Sequence, residues 1–313
     1  MNPRRRRRIL PWLVTPAVLL AGASCGSASS TSSGASASTQ QPVTAPDWAA
    51  VAAALGKSGT MMPGGVYRVG LPRTDLHVTV GDVVLKPGFA LGSYVAFTPD
   101  SSGAVAVGDL ALLESEVPAV TAKLQEEGLQ ETAVHNHVLN ETPRVLFLHF
   151  RGDGDPVRLA GELRQVLSVT ATPLAGAAGA PTSDVGLDTA AIDQALGHQG
   201  KANGGVYQVG VARREQVRLD GLLLPPGTGV TTVINFEASG GGKAAITGDF
   251  ALLPSEVPAV LHALRQAGIA ITALHSHMLT DNPHLLYCHF FAIGDAAGLA
   301  GALRTALAAT NSA

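Results

Sequence analysis

Residues 129–150 read LQETAVHNHVLNETPRVLFLHF, and residues 269–290 read IAITALHSHMLTDNPHLLYCHF, at a constant offset of 140 positions. His135, His137 and His149 recur as His275, His277 and His289, and the acid Glu141 recurs as Asp281. Outside this stretch Tyr67 and Tyr207, Asp109 and Asp249, Glu116 and Glu256, and Pro118 and Pro258 keep the same spacing. A repeat this long is a duplicated domain, since solenoid units are far shorter.

Each copy opens with a short helix, which Asp47 or Asp188 can cap. Gly-Gly-Val-Tyr and a strand follow in both, at 64–67 and 204–207. LHVTVGDVVL and VRLDGLLL then read as strands ending at Pro-Gly turns, before two longer strands. A helix begins near Ser115 or Ser255 and stops at Gly128 or Gly268. The histidine-bearing strands come next as a hairpin, and an amphipathic helix closes each copy. The expected class is α+β: two tandem homologous domains, each an antiparallel sheet with helices on one face. Its core is a ferredoxin-like split βαβ unit with extra strands. The expected domains are residues 47–170 and 187–309, joined by a linker over 171–186.

Alternate side chains of a strand share a face, so Ala133, His135, His137 and Leu139 should lie together. With the turn centred near Thr142, His135 faces His149 on the return strand. Leu146, Leu148 and Phe150 occupy the opposite face, against the helices. Three imidazoles then converge, with Glu141 able to bend back as a fourth ligand. His275, His277, His289 and Asp281 repeat the set. Neutral imidazoles with a carboxylate suit a divalent metal, whether Zn, Fe, Mn or Cu, with a position left for a small ligand. The competing reading is a network in which the histidines brace the hairpin. Whether the copies form two sites or one is open at this point. His77, His198, His262 and His284 have no counterpart and read as peripheral. Cys288 reads as a small buried apolar residue. Arg73 and Asp75 form an Arg–carboxylate pair, shifted in copy two to Arg213-Arg214-Glu215, that either pins a loop or binds an anion.

The N-terminus reads as a targeting device. Arg4 to Arg8 are basic, residues 9–20 are apolar, and Leu20-Ala21-Gly22-Ala23-Ser24-Cys25 ends the run. Residues 1–25 are therefore expected to be a lipoprotein-like signal with lipidation at Cys25. Cleavage after Ala23 into a secreted protein is the alternative, and Arg7-Arg8-Ile9-Leu10 is similar to a twin-arginine export signal. The Ser/Thr/Ala-rich residues 26–46 would make a flexible tether with a reach of about 25 Å. The expected location is the cell envelope, on the outer side of the cytoplasmic membrane. A net charge of −3, with 14% charged and 4% aromatic residues, leaves no basic or stacking surface for nucleic acid. Oligomeric state is not written in these residues.

The stretch from Val66 to Leu167 resembles the LppY/LpqO family of bacterial lipoproteins, a domain family without an assigned function. The matching elements are LPRTDLHVTVGDVVLKPG, GDLALLESEVPAV, TAVHNHVLNETPRVLFLHF and GDPVRLAGELR. Copy two matches through GDFALLPSEVPAV and TALHSHMLTDNPHLLYCHF, and departs at Val211-Ala212-Arg213-Arg214-Glu215 and at Ser276. The resemblance implies export and membrane anchoring through lipid, and no reaction. H-x-H-x3-E is also similar to cupin metal sites, whose flanking strands and glycines differ from these. Three functions follow: an anchored protein whose histidines bind a metal or small envelope ligand, a metal-dependent envelope hydrolase or oxygenase, or a structural or partner-binding lipoprotein.

Overall fold

The computed structural model describes residues 46–174 and 184–313, so Cys25, the signal, the tether up to residue 45 and most of the linker lie outside the described residues. In copy one, α1 (Trp48–Leu55) precedes β1 (Thr60–Met62), β2 (Val66–Pro72), β3 (Val78–Val80), β4 (Val83–Leu85) and the single turn α2 (Pro87–Ala90). β5 (Gly92–Asp100), β6 (Gly103–Leu113), α3 (Val117–Glu126), β7 (Gln130–His135), β8 (Glu141–Thr142), β9 (Val145–Gly154) and α4 (Pro156–Leu167) complete it. Copy two repeats the order with α5 (Thr189–Leu196), β10 (Lys201–Asn203), β11 (Val206–Val211), β12 (Arg218–Leu219) and β13 (Leu222–Leu223). It continues through β14 (Thr232–Gly240), β15 (Lys243–Leu252), α6 (Val257–Gln266), β16 (Ala270–His275), β17 (Asp281–Asn282), β18 (Leu286–Asp295) and α7 (Ala296–Leu307). A 3-10 turn, Pro226–Thr228, stands in place of α2.

The main sheet of copy one runs β1-β2-β5-β6-β9-β7, and copy two matches it as β10-β11-β14-β15-β18-β16. Every pairing is antiparallel, so the class is the expected α+β. β6, α3 and β7 form a split βαβ unit with β9 between its strands. Among the described residues no strand follows α4 within its own copy, so a second such unit is not closed there; β5, β2 and β1 extend the other side instead. The segments read as single strands before the Pro-Gly turns are tight hairpins, β3–β4 and β12–β13, and each pairs with β8 or β17 in a small second sheet.

Asp47 accepts hydrogen bonds from the backbone of Ala49 and Ala50, and Asp188 from Ala191, which satisfies donors that a helix start leaves bare. Val51, Leu55, Val120, Leu124, Leu159 and Leu163 from the helices pack on Val69, Phe97, Leu110, Leu148 and Phe150 of the sheet. The other face of each sheet meets the other copy. Ala96, Val105 and Val107 pack against Val217, Leu224, Met278 and Tyr287, while Val206 and Ala245 pack against Val78, Leu85, Phe89 and Val138. The helices are thus outermost, with two sheets back to back between them. Burial of this middle layer, at about 25 cal/mol per Å² of apolar surface, is what holds the copies together.

An arginine ties each copy internally. Arg73 is fully buried; it donates to Asp75, to Glu116 at 2.7 Å and to the Ala111 carbonyl at 2.8 Å. Arg213 makes the same contacts with Glu215, Glu256 and Ala251. The expected shift in copy two is not observed, because Arg213 and Glu215 both sit 140 positions after Arg73 and Asp75. The anion-binding reading also loses ground, since the fork is already filled by acceptors of the chain. Arg73→Ala should cost about 3 kcal/mol in urea unfolding by leaving carboxylates and a carbonyl unpaired. Arg73→Lys should recover little of it, because a single ammonium cannot reproduce the fork. Wild-type stability in the lysine variant would contradict this assignment.

Candidate functional site

The histidines lie on the sheet face that looks into the middle layer, with Leu148 and Phe150 on the helix side. Their pairing is two residues off the expected one. Past a bulge between Glu131 and Ala133, Ala133 lies opposite His149 and His135 opposite Phe147; copy two does the same at Ile271 and Ala273. The loop through β8 sets this register on the turn side of the bulge, and an offset of two residues keeps the histidines on the same face. The chain leaves the strand after His135, so the alternation fails there: Leu139 is exposed and Val138 is buried in the layer between the copies.

All six histidines meet in one place. Ring centroids of His135 and His275 are 3.6 Å apart, those of His149 and His277 3.9 Å, and those of His137 and His289 4.1 Å. Each of these contacts crosses from one copy to the other. The crossing is fixed by a reciprocal pair of hydrogen bonds, Thr132 Oγ1 to the His277 carbonyl and Thr272 Oγ1 to the His137 carbonyl, both at 2.6 Å. Asn136 adds a bond to the Thr272 carbonyl at 3.0 Å. The question of one site or two thus has a geometric answer: a single composite cluster on a pseudo-two-fold axis.

Glu141 and Asp281 do not join it. β8 pairs with β3, which puts Val80 opposite Glu141 and turns the acid toward its own loop. There Glu141 Oε1 accepts from the Val145 backbone at 3.3 Å, and Asp281 Oδ2 from Leu285 at 2.8 Å. His284, exposed, meets Asp281 at 2.8 Å. The acids of the cluster are Asp109 and Asp249, in mid-strand on β6 and β15. Asp109 Oδ2 lies 3.7 Å from His137 Nε2 and its Oδ1 lies 3.8 Å from His149 Nε2. Asp249 lies 3.1 Å from His277 Nε2 and 3.8 Å from His289 Nε2. Their recurrence at the common offset was visible in the sequence, but a Gly-Asp pair inside an apolar strand read as pattern and not as site.

Burial depresses the imidazole pKa values, and neighbouring histidines lower several of them further. Burial raises both carboxylates, and Asp249 adds to the rise at Asp109. The histidines are therefore neutral, and their tautomer follows from the partners of Nδ1. Carbonyl acceptors lie at 2.8 Å for His289 (Gly248), 3.2 Å for His277 (Gly229), 3.3 Å for His275 (Ser276) and 3.4 Å for His135 (Asn136). The Gly108 carbonyl supports His149. A neutral ring that donates from Nδ1 carries its lone pair on Nε2, and a backbone carbonyl behind Nδ1 is how ligating histidines are usually oriented.

The Nε2 atoms of His135, His149, His275 and His289 are buried without a hydrogen-bond partner, as are Oδ1 of Asp109 and of Asp249, and His277 Nε2, 3.1 Å from Asp249 Oδ2, is not aligned to bond with it. So many bare acceptors in one pocket are far from what folded proteins tolerate. Three triads, His135/His149/His275, His135/His137/His289 and His275/His277/His289, each bring their ring nitrogens within 4.8 Å of one another. A tetrahedral ion with bonds of about 2.0–2.1 Å needs donors roughly 3.4 Å apart, within reach of small ring rotations. An open cleft of about 1690 Å³ reaches His137, His277 and His289, so the cluster has a route to solvent. Cys288 is buried and its thiol is pushed up to about 12 by burial, which keeps it protonated.

A family model described as Domain of Unknown Function (DUF1259) matches residues 49–169 and again residues 190–309. Comparison with curated proteins finds no match. Among solved structures, a trimeric bacterial microcompartment shell protein, PduB, is 13% identical with a TM-score of 0.23, over 81% of this chain and 91% of that one. Crystal form I of TP0453 is 12% identical with a TM-score of 0.18, over 81% and 96%. Likeness at that level carries no argument about this fold or site.

Proposed function

Because the chain belongs to the family of that description, with the domain present twice, and the description names no reaction, we propose its function from the site: it binds transition metal at the histidine cluster shared by the two copies. The observation that carries this reading is the set of buried, partnerless Nε2 and Oδ1 atoms aimed at one another. Imidazole-rich donor sets suit zinc, copper, iron or nickel, and the scarcity of carboxylates weighs against manganese. Neutral rings backed by carbonyls offer lone pairs without a proton to displace. The full chain purified without chelator should contain metal by elemental analysis. After stripping, zinc or copper at a hundred times its Kd should stabilise by about 2.7 kcal/mol and raise Tm by several degrees, reversed by EDTA. An unchanged Tm with zinc, copper, nickel and iron alike would remove the reading. A metal-dependent hydrolase or oxygenase is the second reading, favoured by the cleft, which gives a bound ion access to a substrate.

The location belongs to the same proposal. Arg4 to Arg8, the apolar run to Leu20 and the small residues before Cys25 support export and lipid anchoring, as does the resemblance to the LppY/LpqO lipoproteins. Among the described residues no helix is long and apolar enough to cross a membrane. In cells fed a labelled fatty acid the chain should take up label and sediment with membranes, and Cys25→Ser should do neither. Equal labelling of both proteins would rule out anchoring at Cys25.

A further inference from the structure

The two halves of the cleft are not alike. β5 is displaced by one residue relative to its counterpart, so Tyr94, opposite Gly70 and Asp109, corresponds to Val233, opposite Gly210 and Asp249. Arg68 corresponds to Gln208, and Ala96, across from Arg68, corresponds to Asn235. In copy two the amides satisfy each other: Gln208 Nε2 donates to Asn235 Oδ1, and Asn235 Nδ2 donates to the Phe89 carbonyl, both at 2.9 Å. In copy one a cation stands in their place, near enough to Asp109 to be felt by it but not in contact with it. The Arg68 guanidinium lies 3.6 Å from the centre of the Tyr94 ring and donates to the Gly227 carbonyl at 2.5 Å. Among the described residues it makes no ion pair with any carboxylate.

Both side chains line the cleft that reaches the histidines. The Tyr94 hydroxyl lies over Gly229, at 2.2 Å from where a Cβ would stand, and His277 Nδ1 is 3.9 Å from the same point. Only glycine admits the phenol there. Charge completes the case. One divalent ion, Arg68 and the carboxylates of Asp109 and Asp249 would sum to a single positive charge around the cleft, which favours an anionic ligand there.

Resting on the metal reading, we propose that Arg68 and Tyr94 form the receptor for a small monocarboxylate ligand that sits in the cleft beside the ion. A guanidinium with donors to spare presents the planar fork that a carboxylate matches, and the phenol adds a further donor. The asymmetry gives the duplicated site one anion-binding wall and one amide wall.

The test uses the full chain loaded with Co(II), whose visible spectrum reports on its surroundings, titrated with acetate at constant ionic strength. Acetamide, of similar shape and no charge, is the control. Acetate should perturb the spectrum saturably and acetamide should not. Arg68→Gln, which writes the residue of copy two into copy one, should keep the cobalt content and weaken acetate at least tenfold. Tyr94→Phe, which keeps the ring under the guanidinium, should weaken it several-fold. If Arg68→Gln does not fold, Arg68→Lys takes its place and should still bind acetate more weakly than the parent. Acetate and acetamide acting alike, or unchanged acetate affinity in the variants, overturns this inference and leaves the metal site standing. Failure to take up cobalt, copper or zinc overturns both.

Discussion

Replacing His135 and His275 together by alanine is expected to abolish metal uptake, while either single change leaves a residual site. The reason is combinatorial. His135 belongs to two of the three triads and His275 to two, and every triad contains at least one of them. Without His135, the set His275/His277/His289 survives; without His275, His135/His137/His289 survives. Loss of one ligand from a three- or four-ligand site typically weakens binding by orders of magnitude, so each single variant should hold metal less tightly and the double variant none. Elemental analysis after dialysis against a weak chelator reads the difference. Full metal content in the double variant would mean that the ion, if present, sits elsewhere. The same variants separate metal binding from the bracing alternative. If the rings only brace the hairpins, the double change should lower Tm equally with and without zinc. A metal site instead makes the loss visible mainly in zinc.

The metal-free protein should lose stability steeply on acidification, beginning near pH 6.5. The six imidazoles, four of them buried and His137 and His275 half-buried, are held below their usual pKa by desolvation first, and by mutual repulsion in several cases. Above pH 6.5 both folded and unfolded chains carry them neutral, and their contribution is complete. Below it the unfolded chain takes up protons that the folded chain refuses until its depressed pKa values are reached. Each such proton costs about 1.4 kcal/mol per pH unit. Asp109 and Asp249 act in the opposite direction: raised by burial, they bind protons in the fold that the unfolded chain holds only nearer pH 4. Six imidazoles outnumber two carboxylates, so the net effect is a loss of stability as pH falls through this window, carried mostly by the four rings held well below their usual value. In the metal-loaded protein the same protons compete with the ion, and acid should release it. Urea unfolding in EDTA at pH 7.5 and pH 5.5 measures the first effect. Equal midpoints at both values would show that the rings titrate as if exposed.

Much of this was legible in the sequence, and the remainder was hidden for identifiable reasons. The duplication, the helix caps at Asp47 and Asp188, and the apolar side of β9 through Leu148 and Phe150 follow from local spacing, which is where sequence pattern is strongest. So does the shared face of His135, His137 and His149. The detour of the loop through β8, which pairs with β3, left no mark in residue type, so the cross-strand partner came out two residues off. Glu141 looked like a ligand because it lies four residues after His137, while its direction is set by pairing with β3, some sixty residues earlier in the chain. Asp109 and Asp249 were visible as a recurring pair, but only the packing of one sheet on the other brings them to the histidines. That packing joins surfaces with no short-range signature, so the merging of the two histidine sets into one site was beyond local reading.

The reciprocal bonds from Thr132 to the His277 carbonyl and from Thr272 to the His137 carbonyl have a consequence for how such a centre can arise. A chain with one copy could complete it only as a symmetric homodimer, at whatever concentration association allowed. Tandem fusion replaces that encounter with a tethered one at high effective concentration. It also releases the halves from identity. A substitution in a homodimer appears on both sides of the axis, whereas here an arginine faces the cavity from one side only, and a glutamine from the other.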